Sequence, residues 1–310
     1  MLAPEIIMPK KKIEISHRFF YSKLLLFGEH TVNLGSAGLA LPLNLFEGFF
    51  EKREMLSGAA MASNQSLELL ANYIIFHPKL SKFIDTNRLL SDIEDGLYFN
   101  SNIPQGYGLG SSGALAAAVL HNYGIAVNEK NFSAIKEILA DIESYYHGKS
   151  SGLDALVSYT NSSIYITKEK TEKVTTPAFN KMDLKFFLVD TGKARNTLTY
   201  VNLFLKKSED SNFLKQVEKS LVPTVNLCIS YFIENDAANL LKSFAILSQH
   251  QLNLMPEFIP ESMKILWQQG LKSKQFYLKI CGAGGGGFML GVCPQTVNPE
   301  DIFGKCLVLR

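Results

Sequence analysis

The chain has 310 residues, of which 46% are hydrophobic and 19% charged, with a formal net charge of +2. That balance suits a folded globular protein and excludes a disordered one. A near-neutral charge gives no basis for binding nucleic acid or an anionic membrane surface. The length allows two domains or one large one.

Near the start, Lys10, Lys11 and Lys12 read as a solvated tail. Segments 12–20 and 23–27 are rich in β-branched and aromatic residues and predict strands, as does 40–50. Leu67, Leu70, Ile74 and Ile75 recur at helical spacing and predict a helix over 66–76. The alternating stretch 96–102 predicts a strand that runs into a glycine-rich loop. A small-residue helix is expected over 112–123 and an amphipathic one over 132–146. Further on, 186–190 predicts a buried strand and 197–270 is mostly helical. Short apolar runs at 278–281 and 288–292 flank a second glycine cluster, Gly284 to Gly287. This order of elements points to an α+β chain of two lobes, with a boundary near 177–182. The expected domains are 1–179 and 180–310.

Cys228, Cys281, Cys293 and Cys306 form no CxxC pair, so neither a zinc site nor a disulfide framework is expected. Such usage fits a reducing cytoplasm. Glu5 and nearby prolines fall where a signal peptide needs an apolar core. No apolar run approaches the roughly 20 residues that span a bilayer. A cytoplasmic protein without a membrane partner is the expectation.

The chemical signal lies in Pro104-Gln105-Gly106-Tyr107-Gly108-Leu109-Gly110-Ser111-Ser112-Gly113-Ala114. Glycines let backbone approach a ligand closely. A helix beginning at the serines would aim its free N–H groups and dipole at an anion. A serine hydroxyl could cap that helix or meet a magnesium ion. No Gly-Lys-Ser/Thr follows, so the loop is not a Walker A sequence. Its spacing does not fit a dinucleotide fingerprint either. Taken alone, the loop reads first as a flexible turn with a serine N-cap.

The loop resembles the second motif of the GHMP kinases, the superfamily of galactokinase, homoserine, mevalonate and phosphomevalonate kinases. Two further motifs occur in the matching order. They are Lys23-Leu-Leu-Leu-Phe-Gly-Glu-His30 and Lys279-Ile-Cys-Gly-Ala-Gly-Gly-Gly-Gly287. Within the superfamily the chain is most similar to mevalonate kinases. The segments that carry this likeness are Gly28-Glu29-His30, the stretch from Glu143 through Ser151-Gly152 to Asp154, Asp190-Thr191-Gly192 with Arg195 and Thr197, and Gln249-His250 with Leu252-Asn253. Three departures stand out. Gly113 replaces an alanine, Ser150 stands where these kinases often have proline, and no Gly-Gly follows the aspartate segment.

The resemblance implies the two-lobed GHMP fold, with an N-terminal lobe like ribosomal protein S5 domain 2 and a ferredoxin-like C-terminal lobe. It implies phosphoryl transfer from ATP, most similar to the phosphorylation of mevalonate to 5-phosphomevalonate in isoprenoid precursor synthesis. Asp154 and Lys23 would be catalytic. ATP would lie on Pro104, Gly106, Gly108, Leu109, Gly110, Ser111, Ser112, Gly113, Gly284 and Gly285. Glu29, His30, Arg195 and Thr197 would face the acceptor, and Ser112 and Glu143 would hold Mg²⁺. A homodimer is the assembly the resemblance allows. Another acceptor (phosphomevalonate or a sugar) and a catalytically silent nucleotide-binding regulator are the competing readings.

Overall fold

The computed structural model describes residues 18–310 apart from 126, 129 and 130, and apart from the side chain of His147. The lysine run and residues 12–17 of the strand expected over 12–20 lie outside the described residues.

The first sheet is built from β1 (Phe20–Phe27), β2 (Gly38–Lys52), β3 (Leu97–Ser101), β4 (Ile164–Ile166) and β5 (Thr171–Lys173). It runs β1-β2-β4-β5, and β3 pairs with the far half of β2. All pairings are antiparallel. Five helices accompany this sheet: α1 (Gly58–Phe76), α2 (Thr86–Glu94), α3 (Ser111–Tyr123), α4 (Phe132–His147) and α5 (Leu153–Thr160). The small side chains of Ala114, Ala116, Ala117 and Ala118 are all buried. They let α3 pack tightly against its neighbours, where larger residues would hold the elements apart.

The second sheet combines β6 (Leu184–Asp190), β7 (Tyr277–Ile280), β8 (Phe288–Pro294) and β9 (Leu307–Val308) in the antiparallel order β7-β8-β6-β9. Between β6 and β7 run α6 (Thr197–Ser208), α7 (Ser211–Gln216), α8 (Val222–Ile233), α9 (Ala237–Leu254) and α10 (Glu261–Ser273). The short α11 (Glu300–Phe303) separates β8 from β9. This strand order is that of a ferredoxin-like sheet. A π-helical turn at Val217–Leu221 joins α7 to α8, just ahead of Pro223. A proline there lacks the N–H that a regular helix would use.

Phe27, at the end of β1, meets Phe232 of α8 and Phe244 of α9 edge-on, at 6.4 and 6.0 Å between ring centres. One apolar core therefore runs from the first sheet into the second helical layer. The four cysteines are buried thiols.

The strand and helix expectations over 23–27, 40–50, 66–76, 96–102, 112–123 and 132–146 correspond to β1, β2, α1, β3, α3 and α4. Elements that the pattern did not show are α2, α5, the short α11, the hairpin β4–β5, and β9. Each of the three strands is two or three residues long, too short to display an alternation. Helix α2 is announced by Asp85, whose carboxylate accepts from the Arg88 N–H at 3.0 Å.

Candidate active site

The phosphate-type loop lies between β3 and α3 and is tied to both lobes. The Lys23 N–H donates to the Leu109 carbonyl at 2.9 Å, and the Arg195 N–H to the Gly106 carbonyl at 3.2 Å. Leu109 is fully buried, so its side chain anchors the loop rather than meeting a ligand. Gly106, Gly108 and Gly110 all have positive φ. Gly110 is the N-cap of α3 and brings no side chain to the first turn. An α-helix leaves its first N–H groups unpaired, so this end is open to an anion.

Close approach requires glycine at positions 108, 113 and 282. A Cβ on Gly113 would lie 2.8 Å from the Ala155 nitrogen and 3.0 Å from the Asp154 Cβ. Gly113 thus lets α5 press directly against the start of α3. Asp154 sits in the first turn of α5 and so reaches the loop. A Cβ on Gly108 would fall 1.4 Å from a terminal nitrogen of Arg195, and one on Gly282 would fall 2.4 Å from that same nitrogen. The guanidinium therefore fills the space between the two glycine loops.

Lys23 and Asp154 form an ion pair, Nζ to Oδ1 at 2.8 Å, with side chains 6% and 31% exposed. Lysine is buried by the sheet while the carboxylate keeps an open side. Glu143, on α4, is buried. Its Oε1 accepts from the Ser112 hydroxyl at 2.9 Å, and its Oε2 from the Ser150 hydroxyl at 2.5 Å. Burial pushes its carboxyl up to about 7, the nearby Asp154 charge adds to this, and the two hydroxyls oppose it.

Arg195 donates from Nη1 to the Cys281 carbonyl at 2.5 Å, while its Nε is buried without a partner among the described residues. Burial works against its charge, and Asp154 and Glu29 favour it. The segment before it is held in place by Thr191, whose N–H and hydroxyl both donate to the Gly287 carbonyl at 3.0 and 2.7 Å. Thr197 opens α6 and is exposed.

Two groups depart from expectation. Glu29, expected to face the acceptor, is locked inside by Lys279 at 2.5 Å, with side chains 3% and 0% exposed. It braces the first motif against the third. Gly284 and Gly285, expected beside ATP, pack instead against Phe258 and Tyr200 of their own lobe. A Cβ on Gly284 would meet Phe258 at 3.0 Å and one on Gly285 would meet the Tyr200 ring at 1.8 Å. The contact with the phosphate-type loop is made by Gly287, against the Tyr107 backbone.

His30 lies near the Arg195 charge, enclosed by aromatic rings. Its ring stacks on Phe204 at 4.5 Å and lies edge-on to Phe258. Its Nε2 is 3.1 Å from the Ala283 carbonyl. Burial lowers its pKa to about 4, so the ring is neutral near pH 7. Farther along, the motif segment Gln249–Asn253 works through Gln251, which is buried and accepts from the Ile280 N–H at 2.8 Å.

A cleft of about 870 Å³ opens beside the loop. Its walls include Ala59, Ala60, Ala62 and Ser63 of α1, Asn100 of β3, and Gly106, Ser111 and Ser112. No motif marked α1 as a site element. The signal was its run of small residues, which leaves room for a ligand where larger side chains would close the cleft. Ser150 and Lys279 were also missed as site residues, because each acts through a partner distant in sequence.

Among the described residues, no group of three or more His, Cys, Asp or Glu side chains is placed to hold a metal ion by itself. Nor is any described helix long and apolar enough to cross a membrane.

The sequence profile of the GHMP kinases N terminal domain matches residues 79–162, a span that contains the loop, Glu143 and Asp154. No curated protein matches the sequence. Solved structures share the fold along almost the whole chain. Leishmania (L. major) mevalonate kinase in complex with R-mevalonate has a TM-score of 0.61 at 16% identity, covering 92% of this chain and 89% of its own. Streptococcus pneumoniae phosphomevalonate kinase in complex with phosphomevalonate and AMPPNP has 0.61 at 12%, covering 93% and 94%. Lactococcus lactis galactokinase complexed with galactose has 0.62 at 14%, covering 94% and 92%. At these identities the likeness is one of fold. The chain thus has the two-lobed α+β GHMP kinase fold.

Proposed function

We propose that this chain belongs to the GHMP kinase superfamily, is a small-molecule kinase, and transfers the γ-phosphoryl group of ATP to the primary hydroxyl of mevalonate. The observation that carries this reading is the Lys23–Asp154 pair, set against the N-terminus of α3 and next to Arg195.

In this reading the first turn of α3 and the loop from Gly106 to Ser111 receive the phosphates, and the cleft against α1 receives the nucleoside. Asp154 accepts the proton of the acceptor hydroxyl. Lys23 holds that carboxylate and offers positive charge to the developing alkoxide. A new P–O bond forms to the acceptor as the bond to ADP breaks. Because phosphoryl transfer has a loose transition state, catalysis comes mostly from positioning and charge.

The residues present suit Mg²⁺. Ser112 and Glu143 offer hard oxygen donors beside the phosphate loop, and Glu143 has hydroxyl partners but no ion pair among the described residues. Bound there, the ion would neutralise phosphate charge.

The acceptor follows from Arg195 and its surroundings. A planar guanidinium whose buried Nε has no partner among the described residues suits a carboxylate. A neutral sugar would leave that charge unmatched. The fold likeness extends equally to a phosphomevalonate kinase and a galactokinase. Purified protein with Mg·ATP should therefore be offered mevalonate, 5-phosphomevalonate and galactose in parallel. Turnover confined to another acceptor would replace mevalonate, and turnover with none would favour a silent nucleotide-binding protein. The Asp154→Asn variant should lose about 10²- to 10⁴-fold in kcat while still binding ADP.

A further inference from the structure

We infer that Ser150 is a positioning residue that orients the Glu143 carboxylate toward a divalent cation and ties it to the helix carrying Asp154. The inference rests on the kinase reading above and concerns how its metal carboxylate is held.

The geometry is specific. Each oxygen of Glu143 has its own hydroxyl donor, Ser112 on one side and Ser150 on the other. Two donors on opposite oxygens fix the plane of a carboxylate, which a single donor leaves free to rotate. Ser150 is itself held at two points. Its N–H donates to the Ser144 hydroxyl at 3.1 Å, and its Oγ accepts from the Gly152 N–H at 3.0 Å. Ser144 in turn donates to the Ala140 carbonyl of α4 at 2.7 Å. Gly152 is the N-cap of α5, two residues before Asp154.

A chain of hydrogen bonds therefore runs from the α5 N-cap through Ser150 to the buried carboxylate on α4. Both donors to Glu143 are neutral, so they orient its negative charge without cancelling it. That leaves the charge for a cation, which a lysine in place of Ser150 would not. Groups that orient a metal ligand in this way typically matter about 10- to 100-fold in metal affinity.

The test measures Mn²⁺ binding to the protein–ADP complex by electron paramagnetic resonance, with thermal melting as a check on folding. Ser150→Ala should weaken Mn²⁺ binding about tenfold or more. ADP affinity measured without metal should stay unchanged, as should the melting temperature within a few degrees. Ser150→Thr keeps the hydroxyl and should restore Mn²⁺ binding. The concentration of Mg²⁺ needed for half-maximal turnover should rise in parallel for Ser150→Ala.

If folded Ser150→Ala binds Mn²⁺ like the wild type, Ser150 has no such role, and the kinase reading stands. If folded Ser150→Thr binds as poorly as Ser150→Ala, the hydroxyl is not what orients Glu143, and the proposal falls. If the wild-type protein binds no Mn²⁺ in the presence of ADP, the assignment of Glu143 as a metal carboxylate falls, and the proposal with it.

Discussion

Lys279 and Glu29 meet inside the protein at 2.5 Å, 250 positions apart in sequence, with the lysine side chain fully buried. The lysine also donates to the Ile280 carbonyl at 2.7 Å and lies 5.9 Å from the centre of the Phe27 ring. The pair fastens the loop after β1 to the end of β7, and so joins the two lobes at the edge of the candidate site.

Removing one partner of a buried pair strands the other charge, which costs about 3–5 kcal/mol. Lys279→Met should therefore lower stability by that order in urea denaturation. The double change Lys279→Met with Glu29→Leu should recover most of the loss, because two apolar groups need no partner. A double variant as unstable as the single one would show that the pair does more than neutralise itself.

Acid should act on His30. Its folded pKa of about 4 lies below the unfolded value near 6.5, so the unfolded chain binds the extra proton first. Stability is full above the unfolded value and declines as pH falls from about 6.5 towards 4, by up to about 3 kcal/mol. Melting temperatures between pH 7 and 5 should fall more steeply for the wild type than for His30→Gln. Parallel profiles would assign the acid sensitivity elsewhere.

Gly113→Ala tests the close approach of α3 and α5. The added methyl has backbone atoms of α5 within 3 Å, so Asp154 must shift. Since sub-ångström to ångström misplacement of a reacting group is costly, kcat should fall about 10- to 100-fold. ADP affinity should change little. Unchanged kcat would mean that the two helices separate freely.

Gly108→Ala tests the lodging of Arg195. A methyl group there would overlap the guanidinium and drive it out from between the loops. The KM for a carboxylate-bearing acceptor should rise about tenfold or more, the equivalent of losing one charge-assisted contact. The KM for ATP should move less. Equal effects on both would point to general loop damage.

Ala60→Leu should narrow the cleft against α1. Overpacking of about 1–3 kcal/mol corresponds to roughly a tenfold rise or more in the KM for ATP. The acceptor KM should hold steady. The reverse pattern would place the nucleoside elsewhere.

Sequence alone determined most of the regular elements and the identity of the reactive side chains. Residue types in β1 and β2, alternation in β3, the small residues of α3 and the glycine pattern at 106–110 are local signals, set by backbone geometry within a few residues. Lys23, Glu143, Asp154 and Arg195 could be named because each sits in a short motif. Tertiary structure decided what those residues face. Glu29 reads from its motif as a ligand for the acceptor, yet a lysine from the far end of the chain claims it. Gly284 and Gly285 read as nucleotide contacts, yet Phe258 and Tyr200 occupy their space. Ser150 looked like a departure from a pattern and proved to hold the second oxygen of Glu143. In each case the deciding partner lies on another element or beyond a turn. Hydrogen bonds, ion pairs and steric exclusion act through distance in space, which local sequence patterns do not encode.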